Sequence, residues 1–280
     1  MDAHPDGLKF SLYFNFLKGN AKVPQMPETS LRLRELLASE HASLEQVTRL
    51  LHSNPPLAAY LLQFAESPLL RGSRPGINLQ EVISRLGLKH LNNLVLTFTI
   101  HHMLSQTDPV LLKVFRTRWN ASLLCASYCA CLSQQLTRLP LEDAMLAGLV
   151  QDIGSLPVID EVENWSGKVP TEVELMALCD ELSANVGVIV LTSWNLPQPF
   201  IECARLRGQW EREHAVPADL IDVVQVARCL AAGADSDLVR LPAWQQLVGQ
   251  RTGEFTPAQL RGTIDEPVRF WFKLLGGKGA

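Results

Sequence analysis

The chain has 280 residues, of which 47% are hydrophobic and 19% are charged, so it can build a large core and is not intrinsically disordered. Its 25 Lys and Arg residues against 29 Asp and Glu residues give a formal charge of -4, which excludes global steering to an anionic polymer but not a local basic patch. No apolar run approaches the roughly 18 residues of a membrane helix, and residues 1–7 lack the features of a secretion signal, so we expect a cytoplasmic protein without a membrane partner.

The capping signals of the first half of the chain predict helices with defined ends. Ser43 and Gln46 form a capping-box pattern ahead of an apolar periodic run. The two prolines at 55–56 end that helix or begin the next one. Asn78 is a predicted N-cap, and Gly87 is a predicted stop for the helix between them.

Four apolar segments further along the chain predict the central helices. Residues 88–104, 114–136 and 141–149 are each apolar enough for a buried helix, and the small residues of the second segment predict close helix packing. The run 186–191 has a strand-like composition, but it has no second strand to pair with, so we interpret it as part of a buried helix. The sequence therefore predicts an all-α fold of about ten to fifteen helices.

The six cysteines include no Cys-x-x-Cys pair. Cys125 and Cys129 share one helical face, which leaves zinc binding as the minor alternative. The usual role of such residues in a chain without a leader is that of small buried hydrophobes with free thiols. We expect no cofactor.

Two motifs in the second half of the chain carry a family resemblance. Residues 146–154 (Leu-Ala-Gly-Leu-Val-Gln-Asp-Ile-Gly) resemble the segment of HD-type phosphohydrolases in which a helical His-Asp pair precedes Ile-Gly. Gln151 stands at the His position, and Asp152 is kept. Residues 193–197 (Ser-Trp-Asn-Leu-Pro) resemble the Trp-x-Leu-Pro signature of the HDOD family, whose members are helical, HD-related and generally not catalytic. We expect the Trp and Leu of this signature to be core anchors rather than ligand contacts.

Three further motifs in the first half agree with this resemblance. Residues 23–27 (Val-Pro-Gln-Met-Pro) resemble the opening Leu-Pro-x-Leu-Pro of the family, and residues 54–58 (Asn-Pro-Pro-Leu-Ala) resemble its Asp-Pro-x-Leu. Residues 77–96 resemble its Ala-Ile-x-x-Leu-Gly and Asn-Leu-Val segment. The five motifs occur in the family order, and the resemblance covers roughly residues 20–230.

The resemblance implies a domain organisation for the whole chain. A lead-in helix over 1–19 precedes an HDOD-like domain over 20–235. That domain divides into an N-terminal helical part over 20–110 and a degenerate HD-like part over 111–235. A C-terminal extension over 236–280, which ends in an aromatic-rich stretch, is expected to pack on the body.

The resemblance also implies where the metal ligands of HD enzymes would fall. Those enzymes bind one or two metal ions through His and Asp side chains, and the metals activate water and bind phosphate oxygens. The corresponding positions here are Asn120, Gln151, Asp152, Ser183, Arg207, Gly208 and Arg228. One carboxylate with amide and hydroxyl groups is a poor transition-metal site, and guanidiniums do not ligate. We therefore expect neither metal binding nor catalysis.

The surviving Asp152 carboxylate needs a positive partner if it is buried without a metal. The resemblance places the final metal-ligating Asp at Arg228, so we predict an Arg228–Asp152 ion pair, with Arg207 as the alternative partner. A solvent-exposed Arg228 is the remaining alternative.

A short basic and aromatic segment is the candidate ligand-binding cluster. Its members are Arg205, Arg207, Trp210 and Arg212. They could bind a phosphate or a nucleotide, but interleaved glutamates favour a salt-bridged surface instead.

The resemblance implies a non-catalytic regulatory or signal-transduction module in a bacterial cytoplasm, with other signalling proteins as partners. The alternative is a module that binds a nucleotide or another small phosphorylated ligand in the vestigial cleft, and a residual phosphohydrolase comes third. We do not expect a nucleic-acid partner, because the second helix of the pair over 79–94 carries Lys89 as its only fixed cation near the turn, and its other face is too apolar for a DNA groove.

Overall fold

The computed structural model describes residues 5–19, 21–39, 43–65, 78–101, 108–165, 167, 169–215, 217–249 and 256–277. Across these ranges it contains fifteen helices and no strand, which confirms the all-α prediction. The helices are α1 (Pro5–Lys18), α2 (Glu28–Ala38), α3 (Leu44–His52), α4 (Pro55–Ala65), α5 (Leu79–Leu86), α6 (Leu88–His101), α7 (Pro109–Leu136), α8 (Leu141–Val150), α9 (Ser155–Glu163), α10 (Glu172–Ser193), α11 (Gln198–Arg205), α12 (Leu220–Ala231), α13 (Asp235–Leu238), α14 (Pro242–Val248) and α15 (Pro257–Leu274).

The helix-start signals act as the sequence predicts. Ser43 Oγ accepts a hydrogen bond from the amide of Gln46 at 3.2 Å, and Gln46 Oε1 accepts one from the amide of Ser43 at 2.9 Å, which completes the capping box of α3. Asn78 caps α5 through the amide of Glu81 at 2.9 Å. Gly87 ends α5 with a φ of 77°, a backbone conformation that favours glycine.

One of the central helices begins earlier than the sequence predicts. α7 begins at Pro109 rather than at 114, because Asp108 Oδ1 accepts hydrogen bonds from the amides of the first turn and proline is tolerated there. The segment 186–191 lies inside α10, which confirms its interpretation as buried helix. The last residues of the helix predicted over 88–104 lie outside the described residues, and α6 is described to His101.

The long helix α7 forms the centre of the bundle and packs along α8, α12 and α15. Its contact with α8 is close, because a Cβ at Gly148 would lie 2.8 Å from the Cα of Ala126 and 2.7 Å from Cys129 Sγ. Small residues on α7 thus set the distance between the two helices. All six cysteines are buried free thiols, as predicted.

The helix α10 corrects the expectation that no segment of the chain is long and apolar enough to cross a membrane. Its 22 residues are long and apolar enough, by length and composition, to cross a membrane. In the bundle it is a core helix that packs between α9 and α11, and it buries Leu175, Val186 and Val190. Its apolar character therefore fits a role in the protein core.

The C-terminal helix α15 packs on α7 and α4. Trp271 is fully buried, and its ring lies 4.9 Å from that of Phe64. Arg261 donates hydrogen bonds to Asp235 at 2.6 Å and to the hydroxyl of Tyr128 at 2.7 Å. The aromatic stretch is thus part of the core, while the predicted division of the chain into subdomains remains a prediction.

Candidate functional site

The site is built around Asp152, which lies in the turn of residues 151–154 between α8 and α9. The turn directs this carboxylate into the bundle, where its side chain is 6% exposed. The neighbouring elements are the middle of α7, the start of α9, the centre of α10 and the segment after α11.

Four side chains satisfy the Asp152 carboxylate. Arg118 binds it in a bidentate manner, with Nε 2.9 Å from Oδ2 and Nη2 3.0 Å from Oδ1. Ser155 and Ser183 donate their hydroxyls to Oδ1 at 2.8 and 2.5 Å. Arg207 Nη2 lies 3.1 Å from the same oxygen. A carboxylate with this many donors is fully compensated inside the protein.

The charges of this group are coupled. Burial alone would raise the pKa of Asp152, but the neighbouring charges of Arg207 and Arg118 and the hydrogen bonds hold it below its usual value. Burial disfavours the charged form of Arg118, yet the Asp152 carboxylate outweighs that effect and raises the pKa of the guanidinium. Both groups are therefore charged at neutral pH. Arg118 also reaches Asp180 at 2.9 Å.

Arg228 lies beside this network without joining it. Its Nη1 donates a hydrogen bond to the backbone carbonyl of Arg207, and its guanidinium lies 4.8 Å from the centre of the Trp210 ring. Burial and the nearby charge of Arg207 lower the pKa of Arg228 to about 10. It forms no ion pair with any carboxylate in the described ranges.

A cavity of about 220 Å³ opens between α7, α12 and the turn that carries Asp152. The polar and charged residues that line it include Ser122, Gln151, Asp152, Asp180, Arg207 and Arg228. Arg118 also lines this cavity.

The Trp-x-Leu-Pro segment lies away from this cavity. Trp194 and Leu196 are 4% and 5% exposed, which confirms that they are core anchors. Trp194 Nε1 donates to the carbonyl of Pro24 at 2.7 Å, and Arg34 donates to the carbonyls of Trp194 and Asn195 at 2.5 and 2.8 Å. The motifs at the two ends of the resemblance therefore meet in the fold.

Comparison with protein families gives a match to the HDOD domain over residues 23–209, which is more than half of the chain. The chain belongs to the HDOD family. A solved structure from Shewanella amazonensis SB2B, provisionally named a metal-dependent phosphohydrolase, is 20% identical with a TM-score of 0.84, and the match covers 97% of this chain and 99% of that one. An HDOD domain protein of unknown function from Geobacter sulfurreducens is 19% identical with a TM-score of 0.62, over 95% and 97% of the two chains. At these identities the likeness shows the fold.

A curated relative of this HDOD protein is an uncharacterised protein of Treponema pallidum (strain Nichols). It is 20% identical over 192 residues, and the match covers 65% of this chain. The match spans 37% of the length of that relative.

The HDOD protein brings most of the predicted vestigial positions together, but not all. Gln151, Asp152, Ser183 and Arg207 form one hydrogen-bonded group, with Arg228 at its edge. Three positions lie outside the cavity lining. They are Asn120 on α7, the exposed Gly208, and Ser183, which is buried and reaches Asp152 from α10.

The residue of α7 that faces Asp152 is Arg118 rather than Asn120. Successive residues on a helix are about 100° apart, so two positions separate the faces by about 200°. Sequence reasoning missed Arg118. A signal was present, because an arginine within an apolar helix needs a buried carboxylate, and Asp152 was available.

The predicted ion pair of Asp152 with Arg228 is wrong, and the alternative partner Arg207 is confirmed. The physical reason is competition: Arg118 occupies both carboxylate oxygens of Asp152, and Arg207 reaches the one that it shares with the two serines. Arg228 is held instead by a backbone carbonyl and an indole ring.

The four residues of the basic cluster serve different parts of the HDOD fold and do not converge on one site. Arg205 is exposed and lies 3.5 Å from Glu202. Arg212 pairs with Asp219 at 2.5 Å and with Asp222 at 3.1 Å. Of the four residues, Arg207 lines the cavity, and Trp210 contacts the guanidinium of Arg228 with its ring.

The ligand atoms of His214, Asp219 and Asp222 lie within 4.8 Å of one another, a spacing that could hold a metal ion. His214 Nε2 is 2.7 Å from Asp222, and both carboxylates are already paired with Arg212. Asp219 also caps α12 through backbone amides. We interpret this group as an N-terminal cap that stabilises the first turn of α12, rather than as a metal site.

Proposed function

We propose that this HDOD protein is a non-catalytic regulatory module of a bacterial cytoplasm that acts by binding other signalling proteins. The observation that carries the proposal is the set of contacts made by Asp152, the one carboxylate among the positions that correspond to HD metal ligands. Two guanidiniums and two hydroxyls already occupy its oxygens.

The residues at this centre do not fit a catalytic metal. A divalent cation at Asp152 would lie next to Arg118 and Arg207, which are permanently charged and cannot ligate. At the short distances in this centre, repulsion between like charges is strong because the side chains are buried. The provisional name of the Shewanella structure therefore does not transfer to this chain on the residues present.

A regulatory role through protein contacts has a second source of support in the surface. Phe10 and Phe14 on α1 are 72% and 47% exposed, and their rings stack with centroids 6.3 Å apart. Aromatic side chains are enriched in surfaces that bind other proteins.

The test of the non-catalytic proposal is an activity and metal-binding assay. The purified protein is incubated with manganese, iron, nickel or cobalt and with cyclic dinucleotides, nucleoside phosphates and phosphodiesters. We expect no turnover above that of Asp152→Ala and no stoichiometric metal binding by calorimetry. Metal-dependent turnover that Asp152→Ala abolishes would overturn the proposal.

The test of the partner proposal is affinity capture from the native host, followed by mass spectrometry. The wild type is compared with the double variant Phe10→Ser/Phe14→Ser and with Val173→Ser, which alters an apolar side chain that is 78% exposed on α10. A partner retained by Val173→Ser and lost by the double variant is the expected result. Equal capture by all three proteins would contradict a role for α1.

The second candidate function is the binding of a small phosphorylated ligand in the cavity beside Asp152. It is favoured by the position of Arg228, which lines that cavity without a carboxylate partner in the described chain. The volume of about 220 Å³ is below the roughly 300–1,000 Å³ of typical small-molecule pockets, which favours a small anion over a whole nucleotide.

A further inference from the structure

The cavity beside Asp152 carries an excess of positive charge. Its lining contains Arg118, Arg207, Arg228, Asp152 and Asp180. Three positive charges minus two negative charges leave a net charge of one positive. The contacts show which guanidinium carries the uncompensated charge. Arg118 and Arg207 pair with Asp152, whereas Arg228 forms no ion pair in the described chain.

Arg228 keeps most of its hydrogen-bonding capacity. A guanidinium has five N–H donors, and one nitrogen of Arg228 donates to the backbone carbonyl of Arg207. The guanidinium lies over the Trp210 ring, with its central carbon 4.8 Å from the ring centre, and this contact helps to hold it in place. An uncompensated guanidinium that is held in place at a cavity wall is a preformed contact for an anion.

Two further donors line the same cavity. Ser122 and Gln151 are both 4% exposed. The Gln151 Oε1 atom accepts from Arg207 Nε at 3.1 Å, which orients the amide and leaves its NH₂ group without a protein acceptor in the described chain. The Ser122 hydroxyl likewise has no protein partner there. Neither atom is among the fully buried polar atoms without a partner, so both donors are accessible from the cavity.

We propose that this cavity binds a small phosphate-class oxyanion, with Arg228 as the principal contact and with Ser122 and Gln151 as supporting donors. The inference rests on the proposed function, because it requires that the centre holds no catalytic metal. Donors from two helices and a turn surround the space, so an anion with three or four oxygens fits them better than a two-oxygen carboxylate. The cavity volume of about 220 Å³ is large enough for inorganic phosphate or a small phosphomonoester.

The experiment is calorimetric titration of the full chain at constant ionic strength with four probes: inorganic phosphate, glycerol phosphate, sulfate and acetate. We expect saturable one-to-one binding of at least one phosphate probe and at least tenfold weaker binding of acetate. The two phosphate probes separate a free-phosphate site from a phosphomonoester site.

The decisive variants are Ala232→Glu and Ala232→Gln. Ala232 is exposed and lines the cavity, so either side chain is compatible with folding. Position 232 is four residues after Arg228 at the end of α12, and a carboxylate there can pair with that guanidinium in place of the ligand. We expect Ala232→Glu to weaken phosphate binding at least tenfold and the uncharged Ala232→Gln to change it less than threefold.

Arg228→Gln is the direct variant, with the exposed Arg205→Gln as its charge-matched control. We expect at least tenfold weaker phosphate binding in the first and no change in the second. Absence of saturable phosphate binding by the wild type, or equal binding by Ala232→Glu and Ala232→Gln, would overturn the inference.

The same protein preparations are assayed with manganese. Metal-dependent turnover would overturn the non-catalytic proposal and with it this inference. Absence of both turnover and phosphate binding would overturn the inference alone.

Discussion

At the scale of single residues, the buried centre depends on how one carboxylate is shared. The Asp152 carboxylate pairs with Arg118 and Arg207 and accepts hydrogen bonds from Ser155 and Ser183. The side chains of Asp152 and Arg118 are each 6% exposed. The net stabilisation by such a buried pair is small, because desolvation of both charges offsets their attraction. Removal of Arg118 is different, since Asp152 then stays buried without its bidentate partner and with Arg207 as its remaining positive charge.

Arg118→Ala is expected to lower the free energy of unfolding by about 3–5 kcal/mol, because it removes the bidentate partner of a buried carboxylate. The matched control is Arg116→Ala on the same helix, where the side chain is exposed, and its effect should stay within about 0.5 kcal/mol. Urea denaturation at neutral pH measures both. Equal midpoints for the two variants would contradict the importance of this ion pair.

The lowered pKa of Asp152 predicts a loss of stability in acid. A carboxylate whose pKa is lower in the folded state contributes stability above its unfolded value of about 3.9 and loses it as the pH falls through the folded value. In Asp152→Asn this contribution is absent at every pH. We expect the variant to be less stable than the wild type at pH 7, with a difference that narrows below about pH 4.

The measurement is the free energy of unfolding at several pH values between 7 and 2. A difference between wild type and Asp152→Asn that stays constant over this range would contradict the assignment of a lowered pKa to Asp152.

At the scale of elements, the contact between the turn before α9 and the middle of α10 positions the centre. A Cβ at Gly154 would lie 2.1 Å from the carbonyl oxygen of Ser183 and 2.4 Å from the amide nitrogen of Gly187. The φ of Gly154 is -67°, so any residue could adopt this backbone conformation. The glycine of the Ile-Gly motif is therefore required by close approach rather than by its dihedral angles.

Gly154→Ala is expected to destabilise the protein by about 3 kcal/mol, the upper end for overpacking, because two backbones must separate. The control is Gly208→Ala, where an added Cβ meets nothing within 4 Å. Thermal denaturation compares the two. Since the displaced α10 carries Ser183, the variant should also weaken the hydrogen bonds of Asp152, and an unchanged melting temperature would contradict this packing.

At the scale of the whole molecule, one continuous core joins the ends of the chain. Buried residues of α1, α4, α7, α12 and α15 belong to the same cluster. Trp271 of α15 packs against Phe64 of α4, far apart in sequence. The HDOD match ends at residue 209, yet the later helices complete this core.

Removal of residues 256–280 is expected to abolish the cooperative thermal transition, because it exposes the apolar faces of α4 and α7 that α15 covers. The control is a chain that ends at residue 277, which keeps all of α15. Dye binding to exposed apolar surface should rise in the first protein only. Cooperative unfolding of the shorter chain at the wild-type temperature would show that α15 is dispensable.

The sequence alone determined the features that depend on neighbouring residues or on a uniform pattern. The helical class, the caps at Ser43 and Asn78 and the stop at Gly87 follow from groups within one or two turns of one another. The family motifs also identified Asp152 as the surviving polar centre and Trp194 as a core anchor.

The tertiary structure decided which charges meet. Arg118 and Asp152 are 34 positions apart, and no local pattern indicates which of several arginines reaches a given carboxylate. That choice depends on the rotation of α7, which turns Asn120 away from Asp152. It also depends on competition among the arginines for the carboxylate, after which Arg228 contacts Trp210 and lines the cavity. Ion pairing is short-ranged and directional, so the way in which the helices pack decides which charged side chains meet. The hydrophobic pattern of the sequence specifies only which helix faces are buried or exposed.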